Sequence, residues 1–325
     1  MKILKVVLFA VVISLLAGVA IAAEDYPTKP IRMIVPFNPG GSVDFVARII
    51  SPRLGKELGQ PIVIENRSGA SGCVGVEVAA HAKPDGYTLL IGNNNTIAIN
   101  PYVFPKFSVK PLQDLIAVTE VADIPGGLAV NPSLPVKTLN EFIEYAKARP
   151  GKLNYGSSGA GSTMRIAMEF LMNKAGINII HVPYKSGTGA VMTAVVGGEV
   201  NATFANLPSI LPHVKAGKLR LLAVVAPKPL AAQLGVPTMA ESGFPELAAG
   251  AWHGVYMPAG TPKPIVNKLF NAIVKTATDP EVVKRFADSG TDVVVSKSPE
   301  EFAKFTRSEV EFYAKVIKAI GIEGE

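Results

Sequence analysis

The sequence predicts an α/β protein with two lobes, each built on its own sheet. Strand-like and helix-like runs alternate along almost the whole chain, a pattern typical of sheets with helices on their faces. Most strand candidates are continuous apolar runs, as expected for strands that are covered on both sides. Two extended runs, Ala117–Asp123 and Arg220–Val225, bracket a middle segment with the same alternation. We therefore expect a discontinuous first lobe and a middle lobe, joined by two crossing strands.

The start of the chain has the features of an export signal. Lys2 and Lys5 precede an apolar run, and Ala20-Ile21-Ala22 fits the small-residue pattern of a cleavage site. A membrane anchor is the alternative, but the apolar run is short for one and acidic residues follow it. No later segment reaches the roughly 20 apolar residues of a membrane span. We expect cleavage near Ala22 or Ala23 and an exported mature protein.

The predicted elements follow one another in strand–helix order. The strand candidates are Ile31–Val35, Ile62–Glu65, Thr88–Gly92, Leu128–Val130, Asn154–Ser157, Ile179–Pro183, Ala202–Ala205, Arg220–Val225, Val255–Met257 and Asp292–Val295. The helix candidates are Val43–Leu58, Gly72–Ala82, Leu139–Ala148, Thr163–Ala175, Gly187–Val196, Leu207–Ala216, Pro262–Thr278, Pro280–Ser289 and Pro299–Ile320. The last helix has the strongest start signals, with Ser298 as the cap, Pro299 at the first position and Glu301 completing a capping box.

These elements predict the division of the chain. We expect a signal peptide over residues 1–22, a first lobe over residues 23–124 and 227–325, and a second lobe over residues 125–226. Ligands of open α/β sheets bind beyond the carboxyl ends of the strands. Two lobes that face each other would therefore enclose a ligand cleft between those ends.

Composition argues against several classes of function. The formal charge is +6, and +4 without the two signal lysines, with no block of like charges and no aromatic residues among basic runs. This pattern argues against nucleic-acid binding. The four histidines lack metal-ligand spacing, so no metal or other cofactor is expected. The only cysteine, Cys73, excludes an intramolecular disulfide and is interpreted as a small packed residue rather than a reactive nucleophile.

A proline- and glycine-rich turn, Pro36–Asp44, connects the first strand to the first helix. Gly40 and Gly41 leave the backbone bare and able to adopt positive φ, and Ser42 is placed to cap the helix. Such a turn directs unpaired backbone N–H groups toward one point, where the helix dipole also favours negative charge. The turn is either an anion site or only a tight strand-to-helix connection.

A second turn of the same construction, Gly156–Thr163, opens the helix of the middle segment. It matches a dinucleotide fingerprint only loosely and lacks the acidic residue expected about 20 positions further on. Its hydroxyl groups and free amides predict an anion-binding nest, and the alternative is a helix start capped by Ser162. The candidate ligand-binding residues in this turn are Ser157, Ser158, Ser162 and Thr163.

Arg165 falls in the first turn of that helix, where a cation opposes the helix dipole and needs a compensating anion. A ligand carboxylate would supply one through bidentate hydrogen bonds, and a solvated surface arginine is the alternative. Other strand ends carry polar groups that could bind a carboxylate or a hydroxyl, with ordinary turn chemistry as the alternative. These candidates are Asn94, Thr96, Tyr184 and Asn206.

Together these segments resemble the substrate-binding proteins of tripartite tricarboxylate transporters, the Bug family. The resemblance covers essentially the whole mature chain, and its specificity lies in an ordered set of short motifs. The matching segments are Ile34–Gly41, Glu65–Gly69, Lys83–Tyr87, Lys152–Gly156, His181–Lys185, Asn206–Ser209 and Pro258–Pro262.

The resemblance implies a two-domain periplasmic-binding-protein (Venus flytrap) fold that closes over a carboxylate. It also implies no enzyme activity and delivery of the ligand to membrane permease subunits, and we expect a monomer in the periplasm. In the family the Pro-Gly-Gly turn holds one carboxylate and the Gly/Ser turn holds the other end. Carried over to this chain, the first lobe would contribute Phe37, Gly40, Gly41 and Asp44 opposite the serines and Thr163 of the second turn. Asn38 and Ser42 of the first turn are further ligand-binding candidates.

The chain departs from the family pattern at three places. Met164-Arg165 stand where relatives often have Ser/Thr-His, Ala205 stands where Asp is frequent, and Cys73 stands where Asn is frequent. The first two changes remove a titratable or acidic group and add a permanent cation. We therefore expect a ligand that is at least as anionic as usual, such as a di- or tricarboxylate or an aromatic carboxylate. Asp44 is unexpected in an anion site and would orient waters, cap backbone amides or meet a ligand ammonium.

Two other functions fit the same residues. One is a sensor component that presents its ligand to a signalling partner. The other is an exported hydrolase with Ser157 or Ser158 as the nucleophile, although the sequence shows no His and Asp partners for either serine.

Overall fold

The computed structural model describes residues 26–159, 161–184, 187–247 and 250–321. These residues form two five-stranded sheets covered by helices, which confirms the predicted α/β class. The predicted signal peptide over residues 1–22 lies outside the described residues. Among the described helices, none combines the length and the hydrophobicity that a membrane crossing requires.

The strands lie where the apolar runs predict them, with small differences at their ends. They are β1 (Ile31–Val35), β2 (Ile62–Asn66), β3 (Thr88–Asn93), β4 (Leu115–Ile124), β5 (Gly126–Val130), β6 (Asn154–Ser157), β7 (Ile180–Pro183), β8 (Ala202–Asn206), β9 (Arg220–Val225) and β10 (Ala251–Pro258). The predicted strand Asp292–Val295 is wrong, because only Asp292 forms an isolated bridge, to Asp123.

The long helices also match the prediction. They are α1 (Ser42–Leu58), α2 (Cys73–Ala80), α5 (Leu139–Lys147), α6 (Thr163–Ala175), α7 (Thr188–Val196), α8 (Leu207–Lys215), α10 (Lys263–Ala277), α11 (Pro280–Ala287) and α12 (Pro299–Ile320). Shorter turns that the sequence does not reveal are a 3₁₀ turn (Ala70–Gly72), a π-helical turn (Asn95–Ile99), α3 (Asn100–Val103), α4 (Pro111–Asp114) and α9 (Lys228–Leu234).

The two sheets share one plan. The strand order is β2-β1-β3-β10-β4 in the first sheet and β7-β6-β8-β5-β9 in the second. In the first sheet β1 is parallel to β2 and β3, while β10 is antiparallel to β3 and β4. In the second, β6 is parallel to β7 and β8, while β5 is antiparallel to β8 and β9. Each sheet therefore has three neighbouring parallel strands, then one antiparallel strand, and then an edge strand that runs in the same direction as the first three.

The chain passes between the sheets in two different ways. β4 ends at Ile124, and the chain continues through Pro125 directly into β5. The extended run Arg220–Val225 is strand β9 of the second sheet, and it does not itself cross. The return is made by residues 226–250, which include α9, before β10 begins beside the end of β4. The lobe boundaries inferred from the sequence stay a prediction.

Each sheet carries an apolar cluster on both faces, because successive side chains of a strand point to opposite sides. On the first sheet, Met33 packs with α1, α10 and α11, whereas its neighbour Ile34 packs with α2 and α12. On the second sheet, Leu128 packs with α5 and α6, whereas Ala129 packs with α7 and α8. Burial on both faces explains why the strands are continuous apolar runs.

The last helix, α12, begins as the sequence predicts. The Ser298 hydroxyl accepts a hydrogen bond from the backbone N–H of Glu301 at 3.2 Å. Phe302 then lies against β10 at Gly254, where a Cβ would approach the ring to 2.1 Å. Only glycine allows this contact, so α12 and β10 pack more closely than any side chain at that position would permit.

The first sheet contains a buried carboxyl group that the sequence does not reveal. Glu120 on β4 is only 8% exposed. Burial, together with the neighbouring Asp123 and Glu309, raises the pKa of Glu120 to about 8 from an ordinary value of 4.5. Glu309 itself accepts a hydrogen bond from the Trp252 indole N–H at 2.7 Å, and Asp292 lies next to Asp123.

We expect stability to fall as the pH rises through the window set by Glu120. Between pH 4.5 and 8 the folded protein keeps a proton on Glu120 that the unfolded chain has released, so each rise in pH favours unfolding. Glu120→Gln removes this titration. We therefore compare the free energy of unfolding of Glu120→Gln with that of the parent at each pH. The difference, variant minus parent, should be larger at pH 8.5 than at pH 5 by on the order of 3 kcal/mol.

Urea unfolding at the two pH values measures this difference. Glu144→Gln is the matched control, because it removes a carboxylate whose side chain is 72% exposed. A parallel pH dependence in the parent and Glu120→Gln would show that Glu120 does not keep its proton in the folded state.

Candidate functional site

A cavity of about 980 Å³ lies between the two sheets. Its walls are the segments that follow the carboxyl ends of the parallel strands: β1, β2 and β3 on one side, and β6, β7 and β8 on the other. This is the position at which open α/β sheets bind ligands. Most of the predicted ligand-binding residues line it, namely Phe37, Asn38, Gly40, Gly41, Ser42, Ser158, Ser162, Thr163 and Asn206.

The first wall is the turn between β1 and α1. Gly40 has φ of +88°, a conformation that favours glycine. The predicted cap at Ser42 is wrong, because α1 begins at Ser42 itself and Gly41 occupies the capping position without a side-chain hydrogen bond. The start of α1 therefore lines the cavity and has no side-chain cap on its backbone N–H groups.

Asp44 lies behind this wall rather than in it. Its carboxylate accepts hydrogen bonds from the backbone N–H of Gly40 at 2.9 Å, from Arg48 at 2.7 Å and from the Asn66 amide at 3.0 Å. The same Asn66 amide also donates to the Phe37 carbonyl at 3.0 Å. Of the three roles considered for Asp44, the geometry supports capping of a backbone amide, which holds the turn in one shape.

The charge of Asp44 is stabilised by the same contacts. Its burial alone would raise the pKa of the carboxyl group, but the hydrogen bonds from Arg48, Gly40 and Asn66 outweigh burial and hold the pKa below its ordinary value. Asp44 is therefore ionised at neutral pH and accepts the hydrogen bonds that hold the turn.

A buried histidine lies under the start of α1. The Nε2 atom of His253, on β10, is 3.3 Å from the Ser42 hydroxyl oxygen. Complete burial lowers the pKa of His253 to about 4. The imidazole is therefore neutral at physiological pH and adds no fixed positive charge beneath the turn.

The second wall is the turn between β6 and α6. Ser162 caps α6, because its hydroxyl accepts the backbone N–H of Arg165 at 3.3 Å. The backbone N–H of Thr163 donates to the side-chain oxygen of Asn95 at 3.1 Å. Asn95 belongs to the first lobe, so this hydrogen bond crosses the cavity from one wall to the other.

The asparagine run Asn93–Asn95, at the end of β3, directs its side chains to three different places. Asn94 is buried, and its amide donates to the Gly250 carbonyl at 2.9 Å and to the Tyr313 hydroxyl at 3.2 Å. Thr96 is fully buried and bonds back to Asn93. The structure therefore places the predicted Asn94 and Thr96 outside the cavity lining, and brings Asn93 and Asn95 into it instead.

Ser157 lies outside the cavity lining and finds a partner that the sequence does not reveal. Its hydroxyl oxygen is 2.6 Å from Nε2 of His181 and also bonds to the backbone of Gly159. The His181 ring stacks on Tyr155, with ring centroids 5.0 Å apart. Ser157 is completely buried, so this serine–histidine pair does not present a nucleophile to the cavity.

Arg165 and Tyr184 also lie outside the described lining. The Nε atom of Arg165 lies 3.8 Å from a carboxylate oxygen of Glu169 one turn further along α6, a distance that allows an ion pair but no hydrogen bond. The Glu169 carboxylate also accepts the Tyr155 hydroxyl at 2.7 Å. The Tyr184 ring packs against the apolar cluster around α7 and α8. Ligand binding by Arg165 and Tyr184 stays a prediction.

A left-handed segment between β2 and α2 completes the first lobe's side of the cavity. Residues 69–72 all have positive φ, including the non-glycine residues Ala70 (+44°) and Ser71 (+53°). The Asn100 amide holds this segment by donating to the Ser71 carbonyl at 3.0 Å. Backbone in sparsely populated conformations of this kind clusters at ligand sites. The paired glycines at positions 69 and 72 are the only sequence signal for it.

The two lobes also meet at Gly161. A Cβ at Gly161 would lie 2.8 Å from the Phe104 ring and 2.6 Å from the Asn100 side-chain oxygen. The absence of a side chain allows the Phe104 ring, on the first lobe, to rest against the backbone of the second.

Charged side chains in the described lining are limited to Glu77 and Lys106, both on the first lobe.

Comparisons with known proteins agree with this geometry. Residues 46–322 match the model of the tripartite tricarboxylate transporter family receptor. Protein BugT of Bordetella pertussis is 37% identical over 308 residues, which cover 94% of each chain. A solved structure described as a periplasmic transporter is 43% identical, with a TM-score of 0.85 over 92% of this chain and 99% of the other. An R. palustris protein solved with adipate is 34% identical, with a TM-score of 0.85 over 93% of this chain and 100% of the other.

These matches confirm the family and the fold that the sequence motifs indicate. They also contradict the hydrolase alternative, because the matching proteins are binding proteins. The chain belongs to the tripartite tricarboxylate transporter receptor family and is a solute-binding protein with the periplasmic-binding-protein fold, not an enzyme.

Proposed function

We propose that the chain captures a small carboxylate in the cavity and delivers it to the membrane permease subunits of a tripartite tricarboxylate transporter. The observation that carries this proposal is the uncapped start of α1 in the cavity wall. A helix N-terminus of this kind favours an anion through its free amides and through the helix dipole. The R. palustris relative, which was solved with adipate, supports a carboxylate as the ligand class.

Capture would involve closure of the lobes over the ligand. Residues 23–124 and 227–325 would move as one lobe and residues 125–226 as the other, with rotation near Pro125, where β4 passes into β5. A ligand that contacts both walls binds the closed state more tightly than the open one, and this difference in affinity drives closure. The role requires export, so the proposal keeps the predicted signal peptide over residues 1–22, a periplasmic location and a monomer.

Carboxylate capture predicts binding that depends on the charge of the ligand. In isothermal titration calorimetry with succinate, adipate and benzoate, at least one should bind with a Kd of about 10 μM or lower. Adipamide, which keeps the length of adipate without its charges, should not bind. Small-angle scattering should show a smaller radius of gyration once the protein is saturated. Failure of every carboxylate to bind would contradict capture, and binding without compaction would contradict closure.

The hydrogen bonds of Asp44 predict that this residue acts on affinity through the shape of the turn. Asp44→Ala removes the acceptor of the Gly40 N–H and one partner of Asn66. We expect the free energy of unfolding to fall by about 1–3 kcal/mol, since hydrogen bonds to a charged group are lost. Ligand affinity should weaken by about tenfold or more, because the amides of the turn are no longer held toward one point.

Arg48→Gln is the matched control for Asp44→Ala. It removes the ion-pair partner of Asp44 and leaves the Gly40 and Asn66 contacts in place. The Arg48 side chain is 54% exposed. Affinity should therefore change little in this variant. Equal losses of affinity in both variants would show that the ion pair, rather than the capped turn, shapes the site.

A further inference from the structure

We propose that Asn95 is a specificity-determining residue that disfavours a second carboxylate at the α6 wall. This inference rests on the proposed function, because it concerns which carboxylates the cavity accepts. It predicts a ligand with one carboxylate, held at the α1 wall, and a neutral hydrogen-bonding group, such as an amide or a hydroxyl, at the α6 wall.

The first step is the placement of Asn95. It lies in the π-helical turn after β3, lines the cavity and is 8% exposed. Its backbone N–H donates to the side-chain oxygen of Asn94 at 3.2 Å, and Asn94 is itself anchored to Gly250 and Tyr313. Its own side-chain oxygen can therefore be held toward the other lobe, where it accepts the Thr163 N–H at 3.1 Å.

The second step is the supply of hydrogen-bond donors at the start of α6. A helix leaves its first backbone N–H groups without partners inside the helix. Here the N–H of Arg165 bonds to the Ser162 hydroxyl, and that of Thr163 bonds to Asn95. Both acceptors are neutral oxygens of the protein. They occupy positions at which a ligand carboxylate would otherwise receive charge-assisted hydrogen bonds.

The third step is the contrast between the two walls. At the α1 wall the capping position is Gly41, which has no side chain to occupy the N–H groups. At the α6 wall none of the described lining residues of the second lobe is charged. Arg165, the cation expected to attract a second carboxylate, pairs with Glu169 outside the lining. Among the described lining residues the only cation is Lys106, which lies on the first lobe, so the described part of the second lobe offers no charged donor to a second carboxylate.

The fourth step is the chemistry of the Asn95 oxygen. This atom carries a partial negative charge, accepts the Thr163 N–H and belongs to a residue that lines the cavity, so it disfavours a carboxylate that approaches Thr163. It does not penalise the N–H of an amide or the O–H of an alcohol, which can donate to it. The cavity thus distinguishes a monoacid from a diacid of the same length.

Adipate and its monoamide, adipamate, test this proposal, because they differ only at one end. In calorimetry the unaltered protein should bind adipamate more tightly than adipate. Asn95→Ala frees the Thr163 N–H and should shift the ratio of the two affinities by about tenfold toward adipate, the size expected for one hydrogen bond to a charged group. Asn95→Asp places a carboxylate at the same point and should shift the ratio the other way.

Asn38→Ala is the matched control, since Asn38 lines the opposite wall. It should change both affinities by the same factor and leave their ratio unaltered. Thermal unfolding of each variant verifies that it is folded, and the opposite shifts expected for alanine and aspartate separate a local effect from a general loss of structure.

The outcomes distinguish this proposal from the one on which it rests. If the ligands bind but neither Asn95 variant alters their ratio, or if the unaltered protein prefers adipate, the role of Asn95 is overturned and carboxylate capture stands. If neither ligand nor any other carboxylate binds, carboxylate capture itself is overturned, and the role of Asn95 falls with it.

Discussion

The passage of the chain between the two sheets is the constraint on which the rest of the structure depends. In each sheet the antiparallel strand arrives from the other sheet: β5 through Pro125, and β10 through residues 226–250. Each of these strands lies between two partners and not at an edge. Each sheet therefore depends on a strand that the chain supplies on its way from the other sheet. The same arrangement sets the carboxyl ends of both groups of parallel strands around one space, where their connecting turns form the cavity.

The two walls of that cavity are alike in construction and different in chemistry. Both are turns that lead from a parallel strand into a long helix. At the start of α1, Asp44 and Asn66 hold the turn from behind, through the Gly40 amide and the Phe37 carbonyl, and no side chain caps the helix. At the start of α6, Asn95 and Ser162 accept two of the helix's own amides, those of Thr163 and Arg165. The position of the polar partner, behind the turn or in front of it, decides whether a helix start remains available to an anion.

The regular elements could be predicted from the sequence because long apolar runs and helical periods are local patterns. The predicted strand Asp292–Val295 fails because an apolar run does not reveal whether a neighbouring strand is present to pair with it. Within the site, the turns were predictable and the individual side chains were less so. The choice between Asn94 and Asn95 depends on a π-helical turn that has no sequence signature. The role of Asp44 depends on Asn66, which is distant in sequence and adjacent only after β1 and β2 have paired.

The contact at Gly161 has a consequence for the evolution of the site. The Phe104 ring meets bare backbone there, so the separation of the two lobes at that point is set by the thickness of a ring and a peptide unit. Gly161 keeps the backbone of the second lobe within reach of that ring, and a larger residue at position 161 would force the two apart. The spacing of the walls at that point therefore depends on one side chain, Phe104, whereas the polarity of each wall depends on other side chains. In a chain built in this way, the length and the charge of the ligand can change independently, each by single substitutions.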